Sequence, residues 1–192
     1  MPTQIINNIK SFVALSQNDE DAFLRIIELK KYTKKEFILE EGQVCDKIFF
    51  INSGSARDFF NIEGEEKIVE FFFENRWFTD YNSFLTGQPT IENLQAIEPC
   101  EVVHFKKSDL ENLYKTNPVF EKVGRVMAEN AFMNLMKLTS MRTNQDPEEH
   151  YLNLLKERPE LFERIPQHYL ASYLGLQPQS LSRIRKRIFE KK

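Results

Sequence analysis

The feature that most constrains this chain is a change of hydrophobic period, from 2 to 3.6, that happens once and late. From about Lys31 to Phe105 the apolar residues come in short β-branched and aromatic runs cut by turn residues: KEFILEEGQ, KIFFINSGSARDFF, EKIVEFFF, TIENLQAI and EVVHF. Such runs predict five or more strands of an antiparallel roll or sandwich. Asn61-Ile62-Glu63-Gly64-Glu65 supplies a hairpin turn, and Gly42 and Gly54 punctuate other connections. From Pro118 to Thr143 strand and turn signals are almost absent. There Val123, Met127, Ala131, Leu135 and Leu138 recur every three or four residues and draw a stripe along one long helix. Phe120, Phe132, Met133 and Met136 widen the stripe, so the helix needs partners on two sides. A second copy of the chain supplies one of them simply; burial wholly within the monomer is the competing arrangement. Before the strands, the acidic start and apolar spacing of Asp19 to Leu29 predict another helix.

Charge divides the chain in the same direction. The net charge is -3, but from Ile165 onward six basic residues face one acid, a balance of +5, which leaves -8 on the first 164 residues. An acidic body with a basic end suits a regulatory module joined to a nucleic-acid reader, the alternative being a solvated tail. The longest apolar runs are too short to span a bilayer and Met1 to Gln17 lacks the pattern of an export signal, so a cytoplasmic protein without a membrane partner is expected. Cys45 and Cys100 lie far apart with no second ligand at metal spacing, which predicts two reduced thiols and no metal. His104, His150 and His168 share no spacing, Glu148-Glu149-His150 lacks the second histidine of a zinc protease, and no glycine-rich phosphate loop occurs, so no catalytic residue and no enzyme is expected.

The most informative stretch is IPQHYLASYLGLQPQSLSRIRKRIF. Leu170 and Leu174 mark the inner face of one helix, Gly175 permits a tight turn, and Gln177-Pro178 opens a second helix with proline where its missing N–H costs nothing. This is helix-turn-helix spacing. At 100° per residue Leu181, Ile184 and Ile188 face the first helix, while Gln179, Arg183 and Lys186 point away, flanked by Ser182 and Arg187. The N-terminal part of such a helix enters the major groove, where Arg reads guanine and Gln reads adenine with paired hydrogen bonds. Gln179, Ser182 and Arg183 are therefore the expected base readers. Ser180, Lys186, Arg187, Lys191 and Lys192 are the expected phosphate contacts, and Arg185, nearer the inner side, should meet the protein or a groove wall. Asn144 to Pro147 reads as a hinge.

With β-roll, long helix and helix-turn-helix in that order, the chain resembles the Crp/Fnr family of bacterial transcription regulators over nearly its full length. ASYLGLQPQSLSRIRKR carries the strongest likeness, and GQVCDKIFFINSGSARDFF is similar to the family's early strand pair. The resemblance implies an α+β chain: a cyclic-nucleotide-binding-like β-roll of jelly-roll type over residues 1–117, a dimerisation helix and hinge over 118–145, and a helix-turn-helix domain with a shortened or absent wing over 146–192. It further implies a homodimer through the helix 118–143, reading double-stranded DNA with recognition helices about 34 Å apart, with RNA polymerase as a candidate further partner. Members that bind cyclic AMP use a Gly-Glu pair and an Arg-Ser or Arg-Thr pair; aligned without gaps from Cys100-Glu101-Val102, these fall on Thr79-Asp80 and Thr90-Ile91. The phosphate arginine is missing, so no cofactor is expected and ordinary cyclic AMP binding is not. Asp80 is left to meet a ribose hydroxyl, with Arg57 or Arg76 as a substitute cation, while Phe71, Phe72, Phe73, Trp77, Phe78, Tyr81 and Phe84 either fill the cavity or line an apolar effector pocket. The cysteine cluster of the oxygen-sensing branch and paired haem ligands are absent from the sequence. The second function class is a small-molecule or nucleotide sensor whose basic C-terminal helix is a protein-interaction surface.

Overall fold

The computed structural model describes residues 3–144 and 146–190; Lys191 and Lys192, and Gln145 of the hinge, lie outside the described residues. The elements are α1 (Thr3–Lys10), α2 (Gln17–Leu24), β1 (Glu28–Tyr32), β2 (Phe37–Leu39), β3 (Lys47–Ser53), β4 (Ala56–Ile62), β5 (Glu65–Phe72), β6 (Trp77–Phe78), α3 (Tyr81–Thr86), β7 (Asn93–Ala96), β8 (Cys100–Lys106), α4 (Lys107–Thr116), α5 (Val119–Asn144), α6 (Pro147–Glu157), α7 (Glu160–Arg164), α8 (Gln167–Tyr173) and α9 (Pro178–Glu190). The strands form two four-stranded sheets, ordered β1-β8-β3-β6 and β2-β7-β4-β5. Each expected run carries a strand, and the expected antiparallel roll followed by a long helix and C-terminal helices is the observed architecture.

Compact packing divides the chain into two units, residues 1–58 with 71–131, and residues 59–70 with 132–192. In the first, alternation along the strands sends alternate side chains to opposite faces of the β1-β8-β3-β6 sheet. Tyr32, Phe49, Ile51, Cys100 and Val102 pack with Leu39, Ala56, Leu94 and Ala96 of the other sheet to make the roll interior. Phe50, Val103 and Phe105, one residue out of phase, pack with Ile5, Ile9, Phe23, Leu110, Phe120 and Val123 from the helices. Phe23 stacks on Phe120 at 5.5 Å and meets Phe105 edge-on at 5.4 Å, so the start of α5 is fixed to the sheet through α2.

One expectation is corrected here, and one of the two arrangements open for the long helix is decided against. The helix predicted over Asp19 to Leu29 stops at Leu24: a capping box between Ser16 and Asp19 starts it, Arg25 caps it, and Ile26 and Ile27 lead into β1. Strand β1 then pairs antiparallel with β8 from Glu28↔His104 to Tyr32↔Cys100, so partner hydrogen bonds outweigh the helical spacing of its apolar residues. The long helix is not sunk in the monomer. Phe120 and Val123 are buried, but Phe132, Met133, Leu135 and Met136 are 51–65% exposed.

In the second unit Tyr151, Leu154, Leu161, Leu170, Tyr173, Leu181 and Ile184 are buried, and Tyr151 meets Phe162 edge-on at 5.0 Å. Helix α6 begins as proline at the first turn allows, with Asp146 accepting from the N–H groups of Glu148 and Glu149 at 2.8 and 3.1 Å. The hairpin β4–β5 turns through Glu63 and Gly64, both at positive φ (53° and 83°), the two-residue turn that matches strand twist.

Candidate functional site

Helices α8 and α9 are joined by a turn at Gly175, whose φ of 68° a side chain would resist. The Leu176 N–H reaches back to the Ala171 carbonyl at 2.8 Å, closing the end of α8. On α9 Leu181 and Ile184 are buried at 1% and 7% exposure, and Ile188 is half-buried. Gln179, Ser182, Arg183 and Lys186 are exposed on the opposite face, and Ser180 is half-buried beside them. The helix therefore presents one continuous polar and basic stripe to solvent, of the kind a major groove accepts.

Two of the remaining basic residues have protein partners. Arg185 hydrogen-bonds the Tyr151 side chain. Arg187 is exposed but its Nη1 lies 2.9 Å from Glu148 Oε2, so it reaches a phosphate only by sharing or leaving that carboxylate. Nothing in the local sequence announces that pair, whose members are far apart along the chain.

The segment holding Thr79, Asp80, Thr90 and Ile91 is built around α3. Asp80 is buried and caps α3, accepting from the Ser83 N–H at 3.0 Å. Ser83 in turn accepts from the Cys45 N–H at 2.9 Å. Thr79 donates its hydroxyl to the Lys47 carbonyl at 2.8 Å. Thr90 is buried, bound through its N–H to Gln43 and through its hydroxyl to the Glu92 N–H at 3.0 Å. Ile91 is 68% exposed. These side chains hold the loop together, and none supplies a cation. Arg57 is buried with Nε and Nη2 on Gln95 Oε1 at 3.1 and 2.7 Å, and Arg76 is exposed. The aromatic residues pack as rings: Phe78 stacks on Phe49 at 5.1 Å and on Phe72 at 5.0 Å in the roll interior.

Burial, reinforced by the Asp80 carboxylate, pushes Glu92 up to about 7. A carboxyl group whose folded value lies above its unfolded one binds extra protons in the fold, so its contribution to stability falls as pH rises from about 4.5 to about 7. Glu92→Gln should raise stability at pH 8 by about 1 kcal/mol, after allowance for solvent screening at this half-buried position, and change it little at pH 4. Denaturant melts at the two pH values read the difference; equal effects at both would place the cause elsewhere.

Residues 29–117 match the family model described as the cyclic nucleotide-binding domain. The roll is similar to that domain, and the fold of the chain is that of the solved regulators described below. The cAMP-activated global transcriptional regulator CRP of Pasteurella multocida (strain Pm70) is 24% identical over 97 residues, which are 50% of this chain and 46% of that protein. The match thus spans about half the length of that curated relative. Two solved structures show the Crp/Fnr fold at full extent. The c-di-GMP responsive global regulator CLP of Xanthomonas campestris superposes with a TM-score of 0.70 at 16% identity, covering 92% of this chain and 93% of the other. FixK2 of Bradyrhizobium japonicum gives a TM-score of 0.70 at 17% identity, covering 86% of each. No helix among the described residues is long and apolar enough to cross a membrane.

Proposed function

We propose that this chain is a sequence-specific DNA-binding transcription regulator that works as a homodimer in the cytoplasm, with a roll that does not take cyclic AMP in the usual way. The observation that carries the reading is the two-faced α9: Leu181 and Ile184 buried, Gln179, Ser182, Arg183 and Lys186 exposed at the basic end of an acidic chain. Gln179, Ser182 and Arg183 read bases; Ser180, Lys186 and Arg187, with Lys191 and Lys192 beyond the described residues, meet phosphates. The exposed Phe132, Met133, Leu135 and Met136 on α5 are the surface a second copy covers, which supports division into a roll (1–117), a dimerisation helix and hinge (118–145) and a reading head (146–192). RNA polymerase is the further partner such a regulator addresses. At the roll, the Thr90 position offers no positive charge and lies beside Glu92 and Asp80, which supports a role as scaffold or as sensor of something other than a phosphodiester anion.

Capture of fragmented genomic DNA by the purified protein, with and without cyclic AMP, tests this directly. The expected result is one near-palindromic site enriched equally in both samples. On that site Arg183→Ala should cost about 1 to 3 kcal/mol and relax preference at one base position. Lys186→Ala should weaken all sequences alike and flatten the slope of log K against log salt by about 1. An Arg183→Ala protein with unchanged affinity and preference would show that another face of α9 meets the DNA. Enrichment only with cyclic AMP would overturn the reading of the pocket.

A further inference from the structure

The hairpin β4–β5 is bound to the helices of the second unit at two points that the DNA-reading face does not use. Strand β5 lies at the edge of its sheet. Ser172 on α8 binds this edge with a single hydroxyl: it accepts from the Ile68 N–H at 3.1 Å and donates to the Glu66 carbonyl at 3.0 Å. N–H and C=O groups two residues apart on a strand point the same way, which is why one side chain can serve both. Two residues further on, Glu70 Oε1 accepts from Arg158 Nη1 at 2.6 Å. Arg158 caps the C-terminal end of α6 and its Nε approaches Glu160 at 3.4 Å. The Arg158 and Glu70 side chains are only 16% and 19% exposed, so the pair is shielded from solvent to a degree that surface ion pairs are not. The stiff two-residue turn at Glu63-Gly64 keeps the two attachment points on one rigid arm.

The attached helices carry the recognition helix. Helix α8 packs on α9 through the buried Leu170, Leu174, Leu181 and Ile184, while Gln179, Ser182 and Arg183 face solvent on the far side. We propose that the β4–β5 hairpin is a clasp that positions the reading head: Glu70 and the β5 edge hold Arg158 and Ser172, and the α8–α9 pair reads DNA at full strength only while they do. Glu70, Arg158 and Ser172 are positioning residues, since none lies on the exposed stripe of α9. This rests on the DNA-reading function proposed above. Because β5 runs on along the chain through β6 to Asp80, the clasp also gives the pocket segment a covalent path to the arm that holds the head.

The test uses the full chain, with Glu70→Gln, Ser172→Ala and the charge exchange Glu70→Arg with Arg158→Glu. Two readouts are taken: amide hydrogen exchange in α8 without DNA, and DNA affinity across a salt series. Glu70→Gln should speed exchange in α8 and weaken DNA binding about tenfold, equivalent to about 1.4 kcal/mol, with the salt slope unchanged because no phosphate contact is lost. Ser172→Ala should do the same to a smaller degree, and the charge exchange should recover most of the affinity. A merely structural role would lower the melting temperature without that recovery. Unchanged α8 exchange in Glu70→Gln, or faster exchange at unaltered affinity, overturns the proposal, and so does a fall in affinity accompanied by a flatter salt slope, which would make Arg158 a DNA contact. If the unaltered chain held no DNA, the functional reading would fail and the positioning role with it, while the exchange data would still decide whether the hairpin grips α8.

Discussion

Gly54→Ala should cost the fold about 2 to 5 kcal/mol, a large share of the 5 to 15 kcal/mol that holds a typical domain together. Gly54 turns the chain from β3 into β4 at a φ of +87°, which a side chain resists at a cost of about 1 to 2 kcal/mol. The larger cost is steric. A Cβ at this position would sit 2.4 Å from the Pro99 carbonyl oxygen, 2.8 Å from Cys100 Sγ and 2.9 Å from Cys100 Cα, and backbone atoms cannot swing aside as a side-chain tip can. Forcing them apart costs about 1 to 3 kcal/mol more. It would also disturb Cys100, whose thiol hydrogen-bonds the Ser55 and Glu98 carbonyls and is pushed up to about 11 by burial. Gly42→Ala is the control. Its φ is similar at +88°, but an added Cβ meets nothing within 4 Å, so only the conformational cost of about 1 to 2 kcal/mol applies. Urea melts of the two variants separate the contributions: equal losses would mean that the turn relaxes and the predicted clash does not exist.

Where the sequence could be read, one element's own side chains decided its structure. The runs from Lys47 to Phe72 alternate or cluster as strands whatever they pair with, and the turn at Glu63-Gly64 announces itself in composition. The two faces of α9 follow from the helical repeat alone, which is why Leu181 and Ile184 are buried and Gln179 and Arg183 exposed as the spacing predicts. Helix α1 is equally local in origin: Ile5, Ile6 and Ile9 stand at helical spacing and are all buried. Other features lie beyond a local reading. Strand β1 is Glu-Leu-Lys-Lys-Tyr, with Leu29 half exposed, and becomes a strand because β8 offers it a ladder. The contacts of Arg158 with Glu70 and of Arg187 with Glu148 join residues 88 and 39 positions apart, and no periodicity couples such distances. In the pocket segment the ungapped alignment places no arginine at Thr90 or Ile91, but it does not show that Asp80 caps α3, that Ser83 accepts from the Cys45 N–H or that Thr90 accepts from the Glu92 N–H.

That last point sets the expected response to cyclic AMP, which is none. A ligand that binds only the folded state raises its stability by RT ln(1 + [L]/Kd), about 2.7 kcal/mol at a hundredfold excess over Kd. A roll with the phosphate arginine would show such a gain as a rise of several degrees in melting temperature. On the proposed alignment Thr90 takes the place of the family's arginine, and removing one partner of a buried ion pair costs about 3 to 5 kcal/mol, a factor of about a hundred to several thousand in Kd. The nearby charge works in the same direction, since burial and the Asp80 carboxylate already disfavour ionisation of Glu92, and a phosphodiester would bring a further negative charge to it. At about 1 mM cyclic AMP the gain should therefore stay below about 0.4 kcal/mol, the value for a Kd no tighter than the concentration used. A thermal melt with and without the nucleotide measures it, and a shift of several degrees would mean that a cation from outside the α3 segment reaches the phosphate. The pH series gives the same electrostatics a second expression: lowering the pH below 7 protonates Glu92 and removes one repelling charge, so whatever weak affinity exists should increase as pH falls. Affinity that increased with pH would show that Glu92 does not face the ligand.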